Sequence, residues 1–451
     1  MTSTTSAAAP PGAKTGALDR RFGLGARQTT VRIEIVAGIT TFLAAAYLLV
    51  VIPSLLATGG MDRGAATTTT ILVMIASTVL MGLYANLPFI VGPGIGGSAI
   101  LGVTMAATEH IPWQVGLGAA FASGVLFLVL TLAGARALVM RLIPTQIKLG
   151  LGASIGIFIA MLGFRNAGMV VVNTRTNALA LGDFTQHGVI VALIGLAVAV
   201  LLQGRRVPGA ILFAILVGAG VGIPLGVTKM PASLISLPHD IAPVTFQIDF
   251  GGLFAIALLP YLFIFFVSEF FSTLGTTLAV GGKAGLLDEQ GNLPNINQPF
   301  LVDSIAAMVG PLFGIPGLTA LVESAAGVET GGRTGLSALA AAAMFVLMLL
   351  FVPIALAIPK EATAPALIFI GISMFATIRH AHFEDFTDSL PVISMVLLTL
   401  MSNSFGTGIA GGLLCYVLVK ALAGRFREIP IGLVVLAIPL GYYFWTVVGK
   451  H

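Results

Sequence analysis

Apolar runs of about 20 residues recur from Ile33 almost to the C-terminus of this chain, each long enough to cross a hydrocarbon core about 30 Å thick. A membrane β-barrel would be written as short segments of alternating polarity, and these runs are continuous. The reading is an all-α polytopic membrane protein. Composition agrees, since 57% of the 451 residues are apolar, 9% are charged and the mean hydropathy is +1.03. An ordinary soluble domain is roughly a quarter charged.

Breakers between the runs give expected spans near 33–57, 64–86, 88–108, 113–134, 147–164, 187–203 and 209–226. A polar, proline-containing stretch at 227–250 separates them from a second set near 251–280, 299–315, 317–333, 334–358, 363–379, 388–404 and 405–424. Seven spans plus seven gives about 14 transmembrane helices in two halves, 31–226 and 251–424, and an odd number per half inverts the second copy. That is the inverted-repeat pattern of secondary transporters. A further apolar segment, 429–448, either crosses the membrane or lies along its surface. Residues 1–30 lack the apolar core of a signal peptide and read as a disordered tail. Arg20, Arg21, Arg27 and Arg32 precede the first span, which places the N-terminus in the cytoplasm by the positive-inside rule.

The formal charge of +4 comes from basic residues scattered among connections, including Arg136, Arg141, Lys148, Arg205, Arg206, Lys420, Arg425 and Arg427. Membrane topology accounts for them, and no nucleic-acid partner is expected. Cys415 stands alone, which excludes an internal disulfide, and no Cys/His cluster has metal-ligand spacing. His380 and His382 lie in the acidic connector "RHAHFEDFTD", read as a solvated loop. No metal or cofactor is expected.

The third span of each half is unusual. "LPFIVGPGIGGSAILGV" at 87–103 and "GIPGLTALVESAAGVETGG" at 314–332 are both interrupted by Gly and Pro in mid-membrane. Paired interruptions at corresponding positions point to a midplane binding site, with unwound backbone and half-helix N-termini aimed at the solute. The alternative is that the glycines only allow helices to approach closely. Most acidic residues fall in tails or loops, the exceptions being Glu269, Glu323 and Glu329, with Asp303 near the start of its span. A carboxylate in mid-membrane costs about 2.5–3.5 kcal/mol on insertion scales, which suggests a role. Glu269 shares a helix face with Ser272, Thr273 and Thr276, a polar stripe that should face a cavity. Glu323 follows the break and precedes "SAAG", so its carboxylate and the N–H groups of a new half-helix are expected to converge. Glu329 and Arg333 are one turn apart and are read as a structural pair. Desolvation favours the neutral form of a carboxylate, so Glu269 and Glu323 are candidate proton carriers. The competing reading is an interhelical hydrogen bond that only holds the bundle together.

Several stretches together carry a resemblance. "GITTFLAAAYLLVVIPSLLATGGMD", "GPGIGGSAI", "GIFIAMLGFRNAGMVVVN", "RRVPGAILFAILVGAGVGIPLG", "KAGLLDEQGNLPN" and "VESAAGVETGGRTGL" occur in this order. The sequence resembles the nucleobase–cation symporter-2 superfamily of xanthine/uracil permease type, and within it the AzgA-like branch of adenine, guanine and hypoxanthine permeases. The resemblance implies a core domain of spans 1–4 and 8–11 (31–134 and 251–358) and a gate domain of spans 5–7 and 12–14 (147–226 and 363–424). It also implies an elevator-like movement of core against gate, proton-coupled uptake across the inner (plasma) membrane, and homodimerisation through the gate. The acid that hydrogen-bonds the planar base in such permeases matches Glu323. Backbone groups around Gly94 to Gly97, Gly96 and Gly97 among them, and at Ser324 and Ala325 would complete the site.

Departures from the branch concern polar groups. Its usual "VDLFDTxGT" reads "SEFFSTLGT", so the first acid is Glu269 and the second has become Ser272. "PGMGLNA" reads "PGIGGSA", placing Ser98 at the amide position, and "VNP" reads "VIP", placing Ile52 where Asn is usual. Unpaired buried polar groups are costly, so such losses can change the substrate. The expected function is therefore a proton-coupled importer of purine nucleobases, with Glu323 and Glu269 binding base and proton and Ser98, Ser272 and Thr276 tuning fit. The alternatives are a same-fold transporter of another small planar or anionic solute, and a non-transporting scaffold or sensor. No nucleophile–base set or cofactor loop supports an enzyme. "GPGIGG" lacks the Lys and the preceding strand that a phosphate cradle requires.

Overall fold

A computed structural model of the chain describes residues 16–135, 144–173, 179–231, 233–251, 258–288, 293–381, 383–402 and 404–445. Residues 1–15 of the expected tail, Arg136, Arg141, His382, residues 252–257 of the expected eighth span, 289–292 of the "KAGLLDEQGNLPN" stretch and 446–448 of the last apolar segment lie outside the described residues.

In the first half, α1 (Ala17–Phe22) precedes α2 (Val31–Ala45) and α3 (Leu48–Thr58), which together make one long apolar span. Thr30 caps α2 and Asp62 caps α4 (Arg63–Leu80), each side chain accepting an N–H from the first turn. The chain then turns extended at β1 (Val91–Pro93) and resumes as α5 (Ile95–Ala99), prolonged by wider turns to Thr108. Next come α6 (Trp113–Leu132), α7 (Thr145–Asn166), the hairpin β2 (Val170–Val172) and β3 (Leu179–Leu181), α8 (His187–Gly204) and α9 (Ala210–Gly222). The second half runs α10 (Leu259–Lys283), α11 (Asn297–Val309), β4 (Leu318–Ala320), α12 (Ser324–Glu329), α13 (Gly335–Met348), α14 (Val352–Ala357), α15 (Lys360–Phe375), α16 (Phe386–Ser402), α17 (Phe405–Leu422) and α18 (Ile431–Tyr443). Among the described residues, 8 helices are long and apolar enough to cross a membrane, with shorter apolar helices beside them. The chain is a mostly helical multi-pass membrane protein. The expectation of an all-α chain is corrected by two short two-stranded sheets. α18 has 13 residues, so at 1.5 Å per residue it is about 20 Å long and short of a hydrocarbon core of about 30 Å.

Where helices cross closely, small residues carry the contact. α7 lies against α15 through Gly156 and Gly371, and a Cβ at either would stand 2.3 Å from a backbone nitrogen, of Phe375 and Ala160 respectively. Only glycine fits such an approach.

One end of the bundle is held by polar contacts that the sequence reading does not contain. Arg27 donates to the carbonyls of Asn86 and Arg333, both at 2.7 Å, and Asn86 donates to Phe22 O at 3.0 Å while accepting from Gly335 N at 2.9 Å. Glu34, fully buried in α2, accepts the N–H groups of Arg333, Thr334 and Ser337 at the start of α13. The expected pairing of Glu329 with Arg333 is corrected here. Glu329 pairs with Lys283 at 2.7 Å with both side chains more than half exposed, and Arg333 donates to the carbonyls of Val328 and Gly332. Across the other ends of the helices, the polar connector docks through Ser236 N on Leu350 O, His239 N on Thr68 Oγ1, Phe246 N on Leu312 O and Asp249 N on Gln114 O.

Candidate functional site

The two Gly/Pro interruptions meet in space. Pro88, Pro93 and Pro316 lack the N–H that a continuing helix needs, and Gly314 and Gly317 adopt φ of +79° and +67°, open to glycine at no steric cost. Extended backbone inside a membrane protein must find partners. β1 and β4 find each other, antiparallel, with Val91 opposite Ala320, Gly92 opposite Thr319 and Pro93 opposite Leu318. Gly94 N donates to Gly317 O and Leu321 N to Ile90 O, both at 2.9 Å, extending the pair at either end. Side chains satisfy what the ladder leaves over. Ile90 N donates to Ser324 Oγ at 3.1 Å, Val91 N to Thr78 Oγ1 at 3.1 Å and Ala320 N to Asp303 Oδ2 at 2.7 Å. Asp303 Oδ2 also accepts from Thr273 Oγ1 at 2.7 Å, tying the strand to α10, while its Oδ1 is buried without a hydrogen-bond partner among the described residues.

A cavity of about 440 Å³ lies beside this pair, within the range of about 300–1,000 Å³ usual for small-molecule sites. Gly94, Gly96 and Gly97 line it from the β1–α5 turn, Gly317, Thr319 and Glu323 from the second interruption, and Glu269, Ser272 and Thr276 from α10. Tyr47, at the junction of α2 and α3, donates its hydroxyl to Glu323 Oε1 at 2.6 Å. Glu269 is only 2% exposed; its Oε2 accepts from Ser123 Oγ at 3.2 Å and its Oε1 has no partner among the described residues. That oxygen stands 3.8 Å from where a Cβ on Gly317 would be, so Glu269 reaches the crossing of the interrupted segments. Apolar walls come from Ile155, Ile264, Phe265 and Phe271, and Lys148 of α7 and Thr377 also face the cavity. The arrangement offers carboxylate acceptors, a lysine donor and flat apolar surfaces around one volume.

Residues 32–409 match a family model for permeases of xanthine/uracil type. The chain belongs to the nucleobase–cation symporter-2 family. It is 35% identical over 424 residues to the adenine permease AdeQ of Escherichia coli, covering 94% of this chain and 95% of that one. It is 36% identical to the guanine/hypoxanthine permease PbuO of Bacillus subtilis, covering 92% and 98%. Among solved structures it resembles the transmembrane domain of the cyanobacterial bicarbonate transporter BicA, with a TM-score of 0.62 at 16% identity, covering 85% of this chain and 97% of that one. The protein is a membrane transporter and not an enzyme.

Of the residues singled out from the permease's sequence, Gly96, Gly97, Glu269, Ser272, Thr276 and Glu323 line the cavity, and Ser98, Ser324 and Ala325 do not. Ser98 is fully buried and turns back onto Gly94 O at 3.2 Å, within its own helix. Ser324 is spent on Ile90 N, and the N–H groups of Ser324 and Ala325 donate to Leu321 O and Val322 O. The expected convergence of the Glu323 carboxylate and these half-helix N–H groups on one spot is thus corrected, because the N–H groups of Ser324 and Ala325 are used locally. Ser272 Oγ lies 3.0 Å from Thr319 Oγ1 and forms a cross-link between α10 and β4. The sequence reading missed Tyr47, Thr319 and Thr377 as cavity residues. It took Lys148 for a topological charge, whereas Lys148 sits in the first turn of α7 and faces the cavity. A charge inside the first turn of an apolar run was the available signal.

Proposed function

We propose that this permease imports the purine nucleobases hypoxanthine, guanine and adenine with protons, by movement of a core (31–134 and 251–358) against a gate (147–226 and 363–424). The observation that carries the reading is the meeting of Glu269 and Glu323 in one cavity beside the β1–β4 pair, in a chain whose relatives are named adenine and guanine/hypoxanthine permeases. Glu323 Oε1 is occupied by Tyr47, leaving Oε2 to accept an N–H from the base. An unpaired anion out of water is costly, so Glu269, with Oε1 unpartnered, is where a coupling proton would sit. Gly96, Gly97, Ser272 and Thr276 shape the floor and wall. The inverted repeat is supported by the matching order of a broken third segment in each half, β1 with α5 and β4 with α12. Movement is supported by the cavity's makeup, since Lys148 and Thr377 come from the proposed gate and the carboxylates from the proposed core. The setting is the inner (plasma) membrane with a cytoplasmic N-terminus, as a homodimer through the gate.

A second reading, transport of another planar or anionic solute, is favoured by Ile52, Ser98 and Ser272 at positions where the branch carries amides and an acid. Uptake of radiolabelled hypoxanthine, guanine and adenine into proteoliposomes, with and without an inward proton gradient, tests the first reading. Gradient-stimulated uptake should fall at least about 100-fold in Glu323→Gln, the scale of losing a buried charge-assisted hydrogen bond of about 3 kcal/mol. Folded protein that takes up none of the three would overturn it.

A further inference from the structure

We propose that the permease holds the acyl chain of a membrane lipid in a groove on the far side of β4 from the solute cavity, and that this chain supports β4 in its solute-binding position. The support of β4 rests on the reading of the first cavity as the solute site; the lipid site does not. The groove has a volume of about 360 Å³ and runs between α4 and α11. Leu72, Ala76 and Leu80 recur every four residues along one face of α4, and Ile305 and Val309 do the same on α11, so the two helices form its rims. All five are partly or fully exposed, whereas Ala306, Gly310 and Leu318 at the floor are buried.

The chemistry of the groove names its occupant. Among the described lining residues none is charged, and the one hydroxyl, Ser77 Oγ, is spent on the carbonyls of Val73 and Val91. Water needs about two to four polar partners to stay in a cavity, and apolar cavities of about 150 Å³ stay dry yet take up apolar molecules such as benzene. The mouth lies along α4, part of a span long and apolar enough to cross the membrane, so the medium outside it is bilayer hydrocarbon.

β4 is the wall between the two sites. Side chains alternate along a strand. Leu318 lines the groove, seated over Gly310, where a Cβ would stand 2.0 Å from its Cδ1, while Gly317 and Thr319 on either side of it line the solute cavity. From the rim helix, Ser77 donates to Val91 O and Thr78 accepts from Val91 N, which holds β1 against β4. An empty groove denies its walls the dispersion contacts that a filled one supplies. Hydrocarbon packed against Leu318 therefore keeps β4 from yielding, and solute and lipid strengthen each other's binding by the same factor.

The test is photolabelling of the full-length permease in nanodiscs of phosphatidylcholine that carries a diazirine on its acyl chain, with adducts mapped by mass spectrometry. Adducts are expected at Ala306, Gly310 or Leu318, buried positions that bulk lipid does not reach, as well as at the exposed Val129 of α6. Ala76→Trp, which sets an indole in the mouth, should lose the floor adducts and keep the one at Val129. Should it not elute as folded protein, Ala76→Phe is read in the same way. Adducts at exposed positions alone, or floor adducts that persist in the variant, would overturn the lipid site. For the support of β4, hypoxanthine binding is measured in a sterol-based detergent, which has no acyl chain, before and after phosphatidylcholine is added. Addition should tighten binding about fivefold in wild type, the low end of coupling between sites, and leave Ala76→Trp unchanged. No change in wild type, or an equal gain in both, sinks the support of β4. If wild type binds no purine, the nucleobase reading falls by itself, and the support is judged on melting temperature. A rise with phosphatidylcholine that the variant lacks upholds it; equal rises, or none, sink it.

Discussion

Two contacts between the halves solve the same problem in opposite ways. α7 and α15 meet as helices, and Gly156 and Gly371 let them approach until a Cβ at either would stand 2.3 Å from a backbone nitrogen of the other. β1 and β4 meet as broken segments whose backbone groups need outside partners, which they take from each other and from Thr78, Asp303 and Ser324. The first contact is made by small residues. The second gathers carboxylates, hydroxyls and glycines around a cavity. A break in a membrane helix is costly to backbone hydrogen bonding, and the polar side chains recruited to offset it are what give the site its chemistry.

That contrast can be broken from either side. Gly371→Leu should have the largest effect on folding, because its side chain would enter a space where even a Cβ meets Ala160 N at 2.3 Å. The expected loss is about 3 kcal/mol, seen as a lower melting temperature of the detergent-solubilised protein. A melting temperature equal to wild type would mean that the helices are not held at this distance. Ser324→Ala should cost less, about 1–3 kcal/mol, by leaving the buried Ile90 N–H without its acceptor. It should also weaken solute binding, because the strand pair walls the cavity. Equal binding in wild type and Ser324→Ala would show that the strand position does not depend on this clamp.

The smallest effect is expected outside the membrane, at the exposed pair Asp385–Arg425, which sharpens the comparison by showing what a polar contact does where water competes. The hydrogen bond from Arg425, then those from Thr387, hold the Asp385 carboxyl well below the usual carboxylate range. A carboxyl depressed in the folded state stabilises above its unfolded value, and that contribution fades as pH falls through the folded one. Asp385→Asn should therefore melt slightly below wild type at neutral pH, with the gap closing in acid. A gap that widens in acid would contradict the assignment.

Much of the site was legible because its signals are local. Pro and Gly in mid-span mark a break whatever surrounds them, and Glu269 and Glu323 stand out in apolar runs. Glu34, by contrast, looks like a helix-end charge near the N-terminus, and only the fold buries it on the amides of Arg333, Thr334 and Ser337. Ser98 and Ser324 were misread for the same reason. A serine near a break serves either cavity or backbone, and the choice depends on which N–H or C=O packs against it.

The sequence by itself determined the membrane class, the two interrupted segments and the carboxylates of the candidate site, because hydropathy, proline's missing N–H and the cost of a buried charge are properties of a residue and its near neighbours. Tertiary structure decided that β1 pairs with β4, that Asp303 and Ser324 hold the pair, and that Lys148 joins Glu269 and Glu323 around one cavity. Those are partnerships between groups far apart in the chain, and a hydrogen bond or a shared cavity exists only once packing has brought its members within reach.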